Sequence, residues 1–111
     1  MIEHPILFSD AMVRAILEGR KTQTRRFGKR RWNIGAIHQC RTRMLDAEST
    51  FARVRILDVT QQCLGSMTTE DARAEGYDNV GAFIDEWESI NGANCWAPRL
   101  TVWVVTFEVA P

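Results

Sequence analysis

A small α+β domain is what this sequence predicts: about five strands in a mostly antiparallel sheet curled into a barrel, with a few short helices inserted. Three observations predict it. β-Branched and aromatic residues concentrate in "FARVRILDV" and "LTVWVVTFEV", as half-buried strands require. Between such runs lie segments with helical spacing and capping residues at their ends. A length of 111 residues suits one core and not two, so residues 1–111 read as a single domain. Curling the sheet is the economical way to protect its edges.

Each element has its own signal. "ILF" (Ile6–Phe8) reads as a short first strand. Ser9 or Asp10 can cap the next segment, where Met12, Val13, Ile16 and Leu17 form an apolar stripe; Gly19 stands where a left-handed residue ends a helix. "KTQTRRF" reads as extended, and Ile34–Leu45 and Phe51–Val59 as strands joined by the polar turn "DAEST". In the second of these, Phe51, Arg53, Arg55, Leu57 and Val59 oppose Ala52, Val54, Ile56 and Asp58, and the pattern leaves the core face open. "MTTEDARAEGY" predicts a helix with Thr68 as N-cap, Asp71 in the capping-box position and Gly76 after the last turn. "NVGAFIDEWESING" predicts another, capped by Asn79, stopped at Gly92, with Phe83, Ile84, Trp87 and Ile90 on one face. Leu100–Val109 is the last strand, with Trp103, Val105, Phe107 and Val109 sharing a face.

Composition narrows the class. Hydrophobic content of 45% and charged content of 25% are ordinary for a soluble globular protein. No apolar run approaches the roughly 20 residues that span a bilayer. "MIEHPILF" lacks the basic and apolar regions of a signal peptide, so a cytoplasmic location with no membrane partner is the expectation. Cys40, Cys63 and Cys95 are far apart and never in a Cys-x-x-Cys pair; three reduced, mostly buried thiols are expected, with no metal and no cofactor.

Net charge is zero, yet the charges are sorted along the chain. Arg20, Lys21, Arg25, Arg26, Lys29, Arg30 and Arg31 fall together with no acid among them, whereas Glu70–Glu88 is almost wholly acidic. Such sorting builds a local basic face for phosphate, or makes two segments fold against each other. Both remain open from charge alone.

The stretch "GRKTQTRR" (Gly19–Arg26) sets a lysine and two threonine hydroxyls among arginines directly after a helix end. Together with "ILFSDAMVRAILEGRKTQTRR", "IGAIHQCRTR", "FARVRILDV", "TTEDARAEGY", "FIDEW" and "VWVVTFEV", it resembles the ASCH domain family, which shares the PUA-like barrel. The likeness runs over nearly the whole chain. Some small bacterial members that this chain resembles in size are N4-acetylcytidine amidohydrolases that use a lysine, a threonine and a glutamate.

The resemblance implies Lys21, Thr24 and Glu75 as the reacting set, with Glu70 close enough to be confused with Glu75. Arg26 would anchor the substrate or hold the oxyanion, and Arg20 joins it as a substrate-binding candidate. Phe8 and Trp32 are candidates for stacking on a pyrimidine ring. The implied partner is an acylated pyrimidine nucleoside, cleaved to cytidine and a carboxylic acid. "TRRFGKRRW" is more basic than the amidohydrolase pattern, and a non-catalytic RNA- or nucleotide-binding module using Arg20–Arg31 is the alternative.

The chemistry is self-consistent without a metal. A threonine hydroxyl can attack an acylated amine if a base lies within roughly 3 Å. Lysine starts from a pKa of about 10.4, and burial and neighbouring arginines lower it, while an adjacent Glu75 opposes them. Either neutral Lys21 deprotonates Thr24 and Glu75 activates the deacylating water, or Glu75 is the base and Lys21 stabilises the oxyanion. In a regular strand Lys21 and Thr24 would point to opposite faces, so their meeting requires a backbone still turning after Gly19.

Overall fold

The computed structural model describes residues 3–92 and 95–111. In chain order the elements are β1 (Ile6–Leu7), α1 (Asp10–Leu17), β2 (Gln23–Arg26), β3 (Ile37–Arg41), β4 (Thr50–Cys63), α2 (Thr69–Ala74), α3 (Val80–Asn91) and β5 (Thr101–Val109). Single 3-10 turns lie at Ala47–Ser49 and Leu64–Ser66. The strands form one sheet in the order β1-β3-β4-β5-β2, antiparallel except for β1 with β3.

The first two strands in sequence are thus the two edges of the sheet, which curls into a half-barrel. Its edges are bridged where Arg26 Nη2 on β2 donates to the Leu7 carbonyl of β1 at 2.7 Å. The expected barrel is closed at this seam by a side chain and not by a ladder.

β4 settles the question its pattern left open. Val54 and Ile56 face the core, and then the register against β5 shifts between Ile56 and Asp58, leaving Leu57 as the extra residue. After this bulge the core position passes to Val59. One inserted residue exchanges the faces of a strand, so neither of the two alternating sets is the core set throughout. Val54, Ile56 and Val59 pack with Val105, Phe107 and Ile16 in the main core.

Elsewhere the strand expected over Ile34–Leu45 is confined to Ile37–Arg41. Its ends are turns, closed by the Ala36 amide on Asn33 O and the Asp46 amide on Arg43 O. α2 begins with the expected capping box between Thr68 and Asp71, and Asn79 caps α3 by accepting from the Ala82 amide. Ser9 occupies the N-cap of α1 without a side-chain bond there, and Leu17 at the end of its stripe is exposed.

A second apolar cluster explains why β5 is buried on both faces. Phe83 and Trp87 of α3 and Ala72 of α2 pack with Leu64, Met67 and Val102, across the sheet from Val105 and Phe107. Ile90, expected on the same helical face, is exposed instead, as is Val109 at the strand end. Of the three thiols only Cys40 is buried, where burial pushes its pKa up to about 12. Cys63 and Cys95 are exposed, a correction to the expectation of mostly buried cysteines. Among the described residues no helix is long and apolar enough to cross a membrane.

Gly65 tests how tightly the turn after β4 packs against the segment that leads into β5. A Cβ there would meet Pro98 Cβ at 2.8 Å and Pro98 O at 3.0 Å, while the Gly65 amide donates to that same carbonyl. Gly65→Ala is therefore expected to destabilise by about 1–3 kcal/mol, seen as a lower urea midpoint. An unchanged midpoint would show that the loop yields without cost.

Candidate active site

Two helices end at the site, each on a glycine with positive φ. Gly19 (φ 76) terminates α1, and the amides of Arg20 and Lys21 both donate to Ala15 O at 2.9 and 3.0 Å. The chain is still turning at Lys21, and β2 begins only at Gln23. Gly76 (φ 97) follows Glu75, the C-cap of α2. A Cβ on Gly76 would lie 3.6 Å from Lys21 Cβ and 3.3 Å from Met12 Sδ, so the backbone there passes close to α1 and Lys21. The Thr22 amide donates to Ala74 O at 2.7 Å and fastens the end of α2 beside the start of β2.

This convergence assembles a buried chain of charges. Lys21 Nζ donates to the Glu75 carbonyl at 2.9 Å and to Glu75 Oε1 at 3.0 Å. The other carboxylate oxygen, Oε2, accepts from Arg25 Nη1 at 2.9 Å. Arg25 in turn pairs with Asp71 Oδ1 at 3.4 Å and donates to Gln62 Oε1 through Nε and Nη2. Lys21 is 4% exposed and Glu75 3% exposed. Burial is the largest influence on the Lys21 amine and holds its pKa below the ordinary lysine range. Glu75 opposes that, and Arg26 and Arg25 add to the lowering.

On β2, Arg26 Nε donates to Thr24 Oγ1 at 3.0 Å. The Arg26 guanidinium lies over the Phe8 ring at 5.1 Å, and Lys21 Nζ lies 5.9 Å from the same ring centre. Such cation–π contacts keep the cations in place against an apolar floor.

Lys21, Thr24, Arg25, Arg26 and Glu75 line one cleft of about 480 Å³. Phe8, Met12, Tyr77, Phe83, Trp87, Phe27 and Ile90 form its apolar walls and mouth. That is the size and lining of a small-molecule site: apolar walls with a few convergent polar groups. Burial pushes the Tyr77 phenol above its ordinary pKa, so it faces the cleft as a neutral donor.

The structure thus gathers Lys21, Thr24, Glu75, Arg26 and Phe8 along one cleft, whereas Glu70 is exposed on α2 and outside it. Two candidates lie elsewhere. Arg20 is exposed and holds Glu18 through Nε at 2.9 Å and Nη2 at 2.7 Å, outside the cleft. Trp32 is 7% exposed within the main core, away from the cleft, because its bulk fills the half-barrel interior. Phe8 also offers less than a free stacking face, since Arg26 covers it.

Sequence reasoning named Arg25 only as a cation near Lys21 and not as a site residue, and it missed Phe27 and Tyr77. Arg25 stands next to Thr24 in the same short motif, a signal that could have drawn attention to it. Phe27, 68% exposed at the mouth, carries no periodic signal at all.

Breaking this charge chain at its centre should be costly. Glu75→Ala leaves two buried cations facing each other and is expected to destabilise by about 3–5 kcal/mol. Lys21→Met should cost less, because Arg25 still pairs Glu75. Denaturant unfolding of both variants checks the order, and the reverse ranking would refute the arrangement.

No family model matches the sequence, and no curated protein matches it either. Solved structures do match. A protein from Enterococcus faecalis V583 superposes with a TM-score of 0.78 at 17% identity, covering 99% of this chain and 77% of that one. The ASCH domain from Lactobacillus crispatus JV V101 gives 0.72 at 14%, covering 90% and 70%. A tyrosine-to-phenylalanine variant of the ASCH protein from Zymomonas mobilis gives 0.63 at 13%, covering 97% and 70%. At such identities the likeness is one of fold, and the fold of this chain is that of the ASCH domains, with their PUA-like curled sheet.

Proposed function

We propose that this protein is an amidohydrolase that removes the acyl group from N4-acylated cytosine nucleosides. The observation that carries the reading is the buried Lys21–Glu75 pair sharing the inner lining of an aromatic cleft with Thr24 and Arg26. Aromatic walls suit a flat pyrimidine, and the resemblance of the lysine–threonine motif supplies the substrate class.

The hydrogen bonds favour Lys21 as the base. A neutral amine has two N–H groups and one lone pair. Its two N–H groups have acceptors in the Glu75 carbonyl and Oε1, which leaves the lone pair for the Thr24 proton. Arg26 already donates to Thr24 Oγ1, so the hydroxyl keeps its own proton to give. Both Glu75 oxygens are held by cations, which makes that carboxylate an anchor and not a proton acceptor.

The reaction then runs in two stages. Thr24 Oγ attacks the amide carbon as its proton passes to Lys21 Nζ. The C–N bond breaks, Lys21 returns the proton to the exocyclic nitrogen, and cytidine leaves from an acyl-threonine ester. Water then attacks the ester with Lys21 again taking the proton, which releases the carboxylic acid and restores the hydroxyl. Arg26 supplies positive charge beside the reacting oxygen.

A nucleic-acid role for Arg20–Arg31 would draw on less charge than the sequence suggests. Lys21, Arg25 and Arg26 face inward on partners and Arg20 holds Glu18, leaving Lys29, Arg30 and Arg31 as the exposed remainder. Arg30 also lies over the Trp103 ring at 5.7 Å.

The test is incubation with N4-acetylcytidine, followed by ultraviolet absorbance. Turnover is expected to fall at least on the order of 100-fold in Lys21→Ala and in Thr24→Ala, and hydroxylamine should capture an acyl group from Thr24. No turnover by the parent protein, with RNA binding that weakens steeply with salt, would replace the hydrolase reading by the binding one. The pH profile carries a sign. Because the base works deprotonated, kcat/KM should rise with pH through a midpoint below the ordinary lysine value of about 10.4, and this limb should vanish in Lys21→Ala.

A further inference from the structure

We infer that Arg25 is a positioning residue that governs how readily Lys21 gives up its proton, acting through the shared carboxylate of Glu75. The inference rests on the role of Lys21 proposed above, but its central measurement does not require turnover.

The argument starts from the division of one carboxylate between two cations. Glu75 Oε1 accepts from Lys21 and Oε2 from Arg25, at 3.0 and 2.9 Å. All three side chains are shielded from solvent, so water does little to screen them. A guanidinium is a permanent cation, so Arg25 claims its share of the negative charge throughout. What remains for Lys21 is less than a lysine alone with a carboxylate would receive, and the ammonium is correspondingly less favoured. Arg25 is itself fixed by Gln62, by Gln23 Oε1 at 3.0 Å and by Asp71. Asp71 draws part of the Arg25 charge outward, which makes it the opposing control.

Lys21 also lines a second pocket, beside Glu18 at the end of α1 and Glu108 on β5, and the remaining neighbours belong to the cleft already described. Arg26 on β2 is a second cation, Tyr77 after α2 and Glu86 on α3 line the same cleft, and Phe8 and Met12 on the α1 side carry no charge. Among them Arg25 alone is joined to Glu75 by its own ion pair. A lysine facing a carboxylate with no competitor would stay an ammonium and could not serve as the base.

The chain offers a clean measurement, since Lys21 and Lys29 are its only lysines. In protein labelled with 13C-lysine, the two Cε signals titrate separately, and exposed Lys29 is the internal reference. Arg25→Met should move the Lys21 midpoint to higher pH and leave Lys29 in place. Asp71→Asn, which keeps the arginine but removes its outer anion, should move the Lys21 midpoint to lower pH. With N4-acetylcytidine, Arg25→Met should lose on the order of 10-fold in kcat/KM at neutral pH and recover it as pH rises. A Lys21 midpoint that stays put in folded Arg25→Met overturns the inference. If that variant does not fold, an unmoved or raised midpoint in Asp71→Asn overturns it. Midpoints that move as stated while no sample releases cytidine uphold the role of Arg25 and remove the hydrolase reading instead.

Discussion

Four side chains, Lys21, Glu75, Arg25 and Asp71, form an alternating line of charge from the floor of the cleft to the first turn of α2. Burying a single ion of this kind costs several kcal/mol, so the inner members are tolerable only together and only at hydrogen-bonding distance. That requirement reaches well beyond the side chains. It brings the end of α2 against the exit of α1, where each helix is followed by a glycine with positive φ. The acidic segment and the basic segment of this neutral chain are sorted in sequence because part of each is spent on the other in space.

The same arrangement lets Lys21 and Thr24 line one cleft. A strand running straight from Lys21 would have turned their heads to opposite sides. Instead Lys21 belongs to the turn that follows α1, held by Ala15, whereas Thr24 and Arg26 share a face of the strand proper and bond to each other. The conflict between Lys21 as base and Glu75 as base is also eased. Each Glu75 oxygen already serves a cation, and burial holds the pKa of the amine beside it below the ordinary lysine range.

Much of this was legible in the sequence, and the legible parts were local. Thr68 with Asp71, Asn79 before α3, and Gly19 and Gly76 after their helices are signals carried within a turn or two. The likeness of the Gly19–Arg26 stretch and of the Glu75 helix end to ASCH sequences pointed to residues that the fold gathers in one cleft. What escaped depends on distant partners. The bulge at Leu57 is specified by pairing with β5, so alternation within β4 could not reveal which set of residues faces inward. Trp32 sits in a basic surface-like stretch yet fills the interior, because the half-barrel needs its volume. Arg25 looked like one more cation of a patch, and only the approach of α2 makes it an internal partner.

The seam between β1 and β2 has a consequence of its own. A charge-assisted bond from one guanidinium is worth about 1.5–3 kcal/mol, far less than a row of backbone pairings between strands would hold. At this seam the wall of the half-barrel is therefore held less firmly than along its ladders, and Arg26 is also the group resting on Thr24 Oγ1. Breathing of the molecule at that junction would strip the alcohol of its cationic neighbour, so the polarity felt by the hydroxyl is tied to the mechanical state of the wall.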